Sequence, residues 1–393
     1  MCKKKNSLFI IFICILVIMF TACMQHTEID KVIFARAVGL DKSEKGGEIR
    51  ITVESESSIP ASGKGETIKK AFRYHAEGKT IFDANRNFSY FTDKDIFWGH
   101  TKYITIGETA AREDVLKYLD FFIRNHENRL NTNVAVVKNA SASEMLQLSG
   151  VEVTHKVISG IYENAGNVGV SKEILLSEFI EALSSKYSSA YLPYISIVKN
   201  TEYIGSHESD NHLSLDGFAI FKGKKLLDFI SAEKARGLSW INGDIKSTLI
   251  VVKDKKKNNV SLEVIGQDVD VKTSIKDGIA YIKVKISVNS NIGELEGQID
   301  VFDKESLLKL EKQQNDIVKG EIESVIAFAK ENNVDIFGFG DKIFHQHPVK
   351  WEKIKDKWNE LFPSVNIEVE VESKISRVYN IQKPIRYWEE KTE

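Results

Sequence analysis

Between Ile245 and Val288 the chain passes through four stretches in which apolar and polar residues alternate, IKSTLIVVK, NVSLEVIG, DVDVKTSI and IAYIKVKISV, separated by KDKKKNN, a turn region at Gly266 and Lys276-Asp277-Gly278. Alternation at every second residue turns one face of a strand to a core and the other to water. Connections this short join only antiparallel neighbours, because a parallel pair needs a crossover of a dozen residues or more. The expectation is a meander. Directly after it the period becomes helical: ESLLKLEKQQNDIVKGEIESVIAFAKENN sets Leu307, Leu310, Ile317, Ile322, Val325, Ile326 and Ala329 on one broad face, with Gly320 as the expected place of a kink. Pro348 suits the first turn of a further helix, VKWEKIKDKWNELF, in which Trp351, Ile354, Trp358, Leu361 and Phe362 recur at helical spacing until Pro363. VNIEVEVES reads as a last strand.

The first half mixes the two periods. IRITVESES from Ile49, the segment with Phe72, Tyr74 and Ala76, HTKYITIGE and NVAVVK read as strands. AAREDVLKYLDFFIRN, with Thr109 as cap and Val115, Leu119, Phe122 and Ile123 on one side, reads as a helix. So do SASEMLQL, where Ser141 and Glu144 have capping-box spacing, and SKEILLSEFIEALSS. Around residues 199–212 the apolar period gives way to Ser, Asn, Asp and His, which marks a boundary. Beyond it, LSLDGFAIFKGKKLLDFIS reads as a hairpin turning at Gly223, followed by a short helix in AEKARGLSWINGD.

The expected class is α+β, multi-domain, with mainly antiparallel sheets and helices packed on one face. Residues 23–205 form an N-terminal α+β domain. Residues 206–393 form a C-terminal α+β region of one or two subdomains: hairpin and short helix over 213–243, then meander, long helix, tryptophan helix and final strand.

Residues 1–22 stand apart. Lys3, Lys4 and Lys5 precede an uncharged apolar run from Leu8 to Phe20, which is too short to span a bilayer but fits the core of a secretory signal peptide. Thr21 and Ala22 then place small side chains before Cys23. The fragment FTAC resembles the bacterial lipobox, with Phe20 in place of the usual aliphatic residue. That resemblance implies cleavage before Cys23 and acyl chains on its thiol, an attachment worth about 0.8 kcal/mol per buried CH₂. The other cysteines, Cys2 and Cys14, lie in the leader, so the mature chain keeps one thiol and no intrachain disulfide. Loss of the three lysines leaves 51 basic against 56 acidic residues, a balance that argues against nucleic acid as a partner.

Catalytic patterns are wanting. Ser239 in GLSWI lacks the second glycine of a nucleophile elbow. GFGDKI at Gly338 lacks the third glycine of a dinucleotide fingerprint and reads as a tight turn. His345 and His347 would share a face on a strand, but no third ligand is placed to complete a metal set. KDKKK at 253–257 reads as a solvated hairpin loop, with contact to anionic lipid head groups as the alternative. No cofactor and no enzyme activity are expected.

Three segments resemble the Ger(x)C family, the lipoprotein C subunits of bacterial spore germinant receptors. They are Trp98 to Leu146 with Phe122 and Arg124, Leu215 to Gly243 with GFAIFKGKKL and Trp240, and Val334 to Pro363 with Asp335, Gly338, Gly340, Pro348, Trp351 and Trp358. Met24, Gln25 and His26 depart from the tryptophan and acid that often follow the family's cysteine. The resemblance implies a non-enzymatic, lipid-anchored subunit that acts with integral-membrane A and B subunits on the outer face of the spore's inner membrane. In such a protein the signature residues serve packing and turns. The alternative reading is a lipid-anchored solute-binding protein with a cleft between the two halves; a cell-wall hydrolase comes third.

Overall fold

A computed structural model describes residues 31–60, 67–148, 153–199, 211–296 and 303–378. The larger of its two sheets has nine strands. β1 (Val32–Lys42), β2 (Ile49–Pro60) and β3 (Thr67–Gly78) form one antiparallel flank. The helix α1 (Ile81–Asn87) leads to β4 (Asp95–Phe97), which runs parallel to the first residues of β1 and pairs Val32 with Asp95 and Phe34 with Phe97. β5 (Tyr103–Gly107), β6 (Asn133–Lys138) and β7 (Tyr191–Lys199) continue the sheet from β1 as parallel neighbours. The hairpin of β8 (Asn211–Lys222) and β9 (Lys225–Ser231) closes it.

Parallel neighbours need crossovers. α2 (Glu108–Arg124) carries the chain from β5 to β6, and α3 (Ala142–Leu148), α4 (Thr154–Ala165) and α5 (Leu176–Ser184) carry it to β7. Alternate residues of the central strands feed different cores. Ile104 and Ile106 pack with Val115, Leu119 and Phe122 of α2. Tyr103, Val137 and Ile195 pack with Met145, Leu146 and Ile158 of α3 and α4. The first sheet is therefore helix-covered on both faces.

Two caps differ in origin. Ser141 Oγ accepts the Glu144 amide at 3.0 Å as the spacing predicts, and the buried Asp41 carboxylate adds the amides of Ala142 and Ser143 at 2.7 and 2.8 Å. α2 starts one residue before the expected cap Thr109, at Glu108, whose carboxylate holds Arg112 and the Asn139 amide, each at 2.8 Å.

β7 pairs with β8 from Tyr191↔Ile220 to Lys199↔Asn211, so the division expected at 205/206 does not fall at an edge of the sheet. GFAIF is apolar throughout because β8 is covered on both sides: Ala219 and Phe221 enter the core of the first half, Phe218 and Ile220 that of the second.

The second sheet has the order β10 (Thr248–Lys253), β11 (Asn259–Lys276), β12 (Ile279–Leu295), β13 (Asn366–Val378). The meander is present, with three strands instead of four. Gly266 marks a bulge, not a turn: the register shifts between Val264 and Gly266, and the ladder resumes at Gly266↔Asn289. The true turn is Asp277-Gly278, with φ of 50° and 78°. β13 lies parallel to β12, as the intervening crossover requires.

That crossover contains α7 (Lys304–Asn332), which with α6 (Ala232–Asn242) and α8 (Phe339–Gln346) packs on one face of the second sheet. α7 runs unbroken through Gly320, without the expected kink. The expected tryptophan helix, by contrast, is divided, into Pro348–Trp351, a 3₁₀ turn Lys355–Lys357, Trp358–Leu361 and a 3₁₀ turn Phe362–Ser364. The rings of Trp351 and Trp358 stand 5.2 Å apart, edge to face, across these breaks.

Candidate functional site

The third signature segment is organised by one buried carboxylate. Asp335 Oδ1 accepts the amides of Phe337 and Phe339 at 3.3 and 3.1 Å, and Oδ2 accepts the Gly340 amide at 2.8 Å and the Trp358 indole N–H at 3.2 Å. Burial pushes its carboxyl up to about 6, and the donors around it pull the other way. Gly338 supplies the left-handed residue of the turn, at φ 65°. A side chain on Gly340 would stand 2.6 Å from Trp358 Nε1 and 2.9 Å from Tyr187 Cβ. The motif ties the halves together: Trp358 also donates to the Tyr187 carbonyl at 3.0 Å, and the Ser189 amide donates to the Asp335 carbonyl at 2.8 Å.

The second segment works similarly. A Cβ on Gly237 would meet the Glu321 carbonyl oxygen at 2.3 Å, so α6 reaches α7 only through glycine. Beside that contact Glu321 accepts Arg236 Nε and Trp240 Nε1, both at 2.8 Å.

The first segment builds a surface. Trp98 is buried edge-on against Phe121 and Phe122 at 5.6 and 5.5 Å, and Arg124 points outward to Asp120 at 2.8 Å. Asp114 leaves helical geometry at φ −164°, ψ 103° and caps the resumed helix by accepting the Leu116 amide at 3.0 Å. This break admits the turn of the β8–β9 hairpin, whose Lys224 carbonyl takes the Val115 amide at 2.9 Å. An open groove of about 1400 Å³ results between α1, β4 and α2. Phe34, Ile81, Phe88, Trp98 and Phe121 contribute apolar surface to it, and Arg86, Lys117, Asp120 and Arg124 contribute charge. Its lining residues lie in the first half of the chain, apart from Lys224 of the β8–β9 turn.

The other positions singled out in the sequence are accounted for one by one. Ser239 is buried in α6 and donates to the Ala235 carbonyl at 3.2 Å. His345 and His347 lie at the end of α8, not on a strand, and His347 Nε2 is spent on the Thr273 carbonyl at 2.6 Å. Among the described residues no group of three or more His, Cys, Asp or Glu is placed to hold a metal. In KDKKK, Asp254 accepts the amides of Lys256 and Asn258 at 2.7 and 2.8 Å, and Lys255 pairs with Glu305 at 3.1 Å, as a solvated turn requires. Cys23 lies outside the described residues. No helix among those residues is long and apolar enough to cross a membrane.

Comparison with known proteins covers both halves. Residues 25–197 match the family model "Spore germination protein N-terminal domain", and residues 216–379 match "Spore germination B3/ GerAC like, C-terminal". Spore germination protein KC of Bacillus subtilis (strain 168) is 25% identical over 401 residues, covering 98% of each chain. Spore germination protein B3 of the same organism is 24% identical, covering 90% of this chain and 93% of its own. The crystal structure of the GerBC protein superposes with a TM-score of 0.53 at 20% identity, covering 88% of this chain and 98% of that one, and so shares the fold.

Proposed function

The chain belongs to the Ger(x)C family of spore germination proteins, and from that premise we propose that it is the lipid-anchored C subunit of a nutrient germinant receptor. It acts without catalysis, through contacts with the integral-membrane A and B subunits, from the outer face of the spore's inner membrane. Cys23 carries the anchor, with residues 1–22 as its signal peptide. The segments 23–205 and 206–393 act as two units joined by the β7–β8 ladder.

The observation that carries this reading is the use made of the signature residues. Asp335, Gly340, Trp358, Gly237 and Trp240 are committed to buried hydrogen bonds and close packing, which leaves function to surfaces. The test is made in spores. Cys23→Ala should abolish lipid labelling and slow the nutrient response, and the A and B subunits should co-purify with the native protein from spore membranes. A normal response in spores lacking the protein, with no paralogue covering for it, would refute the proposal.

A second reading, a lipid-anchored solute-binding protein, calls for a cleft between the two halves, whereas the groove between α1 and α2 is lined from the first half apart from Lys224; that reading therefore rests on binding alone. It differs in requiring saturable binding of an amino acid or sugar by the purified ectodomain, measured by calorimetry.

A further inference from the structure

We propose that the ectodomain rests on the bilayer through the loop carrying Tyr90 and Phe91, which enters the lipid head-group layer beside the tether. The inference rests on lipid attachment at Cys23, and it adds which face of the protein meets the membrane.

Tether length and sheet register carry the argument. From Cys23 to Lys31 there are eight residues, which span at most about 28 Å even when fully extended. An acylated Cys23 therefore holds Lys31, the residue before β1, within that distance of the lipid surface. β1 and β4 are parallel and in register at Val32↔Asp95, so their N-terminal ends lie side by side. The residues before Asp95 emerge at the end where the tether arrives, and Phe91 is four residues away, at most about 14 Å.

Exposed aromatic side chains are also present at this end. Tyr90 and Phe91 are 82% and 77% exposed, the most exposed aromatic side chains among the described residues. Leu130, three residues before the parallel strand β6, and Phe72, which pairs with Ser55 near the start of β1, are exposed at the same end. Exposed aromatic rings in water gain nothing, whereas the membrane interface accommodates tyrosine and phenylalanine with flanking lysines. Lys70 and Lys94 are the exposed lysines beside them. Asp93 and Asp95 balance the charge of the loop, so attachment here is driven by the rings rather than by anionic lipid.

The experiment uses the acylated full-length mature chain, whose single cysteine is occupied by lipid, so that an introduced cysteine is uniquely reactive. A polarity-sensitive fluorophore is placed at Phe91→Cys and, as a control, at Glu44→Cys in the turn after β1, at the far end of that strand. The protein is reconstituted on vesicles of phosphatidylglycerol and phosphatidylethanolamine. Flotation with the vesicles reads the anchor, and the probe reads the surface. The expected result is flotation of both, a blue shift and quenching by shallow spin-labelled lipid at residue 91 only, and persistence of the signal in high salt. With Tyr90→Ser and Phe91→Ser together, a probe at Lys94→Cys should lose its blue shift while flotation is retained. Flotation with residue 91 still in water overturns the proposal and leaves the anchor standing. A probe shielded only in native spore membranes overturns it in favour of a protein partner. Failure to float overturns the anchor and the surface with it.

Discussion

The indole N–H of Trp358 is shared between the Asp335 carboxylate, at 3.2 Å, and the Tyr187 carbonyl, at 3.0 Å. Three segments far apart in the chain meet at one donor. Trp358→Phe keeps most of the ring volume and removes that donor, leaving two buried acceptors short of a partner. The expected loss is about 1–3 kcal/mol, the cost of unsatisfied buried polar groups, read as a lower urea midpoint with an unchanged slope. An unchanged midpoint would show that the shared bond is energetically idle.

Two glycines in helices should respond in opposite directions. Gly340→Ala places a methyl 2.6 Å from Trp358 Nε1, and neither Trp358 nor Tyr187 can retreat, since both are fixed by the contacts above. Overpacking of this kind costs about 1–3 kcal/mol. Gly320 lies in α7 with open space where a Cβ would stand. Gly320→Ala should therefore stabilise by up to about 1 kcal/mol through helix propensity alone. Thermal unfolding of the two variants against the wild type decides both signs.

Acid should act on Asp335 and Glu77 in opposite senses. Burial raises the Asp335 carboxyl from 3.8 to about 6, so the folded chain binds the proton more tightly than the unfolded chain. Its contribution to stability is fully present below 3.8 and is lost as pH rises through 6. Glu77 is held down at about 2, from 4.5, chiefly by a hydrogen bond from Lys45 and further by Arg50 and Ser43. Its contribution is present above 4.5 and is lost as pH falls towards 2. Urea midpoints between pH 7 and 3 should show Asp335→Asn removing part of the gain on acidification from 7 to 5. Glu77→Gln should remove part of the loss below about 4.5. Profiles parallel to the wild type would contradict both assignments.

Strong periodicity was legible, and contacts between distant residues were not. The amphipathic faces of α2 and α7, the Ser141 cap and the Asp277-Gly278 turn are local, and the structure keeps them. Gly266 was misread because a bulge and a turn both call for glycine, and the outcome depends on β12 following across the break. The tryptophan segment keeps its apolar spacing but is interrupted at 352–357, and the ring contact between Trp351 and Trp358 across that interruption is not specified by the helical period. The role of Asp335 depends on Trp358, 23 residues away. The groove depends on the irregular backbone at Asp114 and on a hairpin turn from the other half of the chain.

Arg124 and Glu321 separate stability from function. Glu321 is nearly buried and satisfies both Arg236 and Trp240, so Glu321→Ala leaves an uncompensated cation and an unpaired indole, at a cost of about 3–5 kcal/mol. Arg124 belongs to an equally recognisable segment, yet its side chain is 77% exposed and its partner Asp120 57%. An exposed pair of this kind adds little to stability, because water and salt screen it. If fold were its only role, Arg124→Ala would be silent. It stands on the charged rim of the groove, however, where a docking partner would meet it. Spores carrying Glu321→Ala should contain little of the protein by immunoblot and respond slowly for that reason. Spores carrying Arg124→Ala should contain normal amounts and still respond slowly to nutrient. Normal kinetics at normal abundance would remove the rim from the working surface of the subunit.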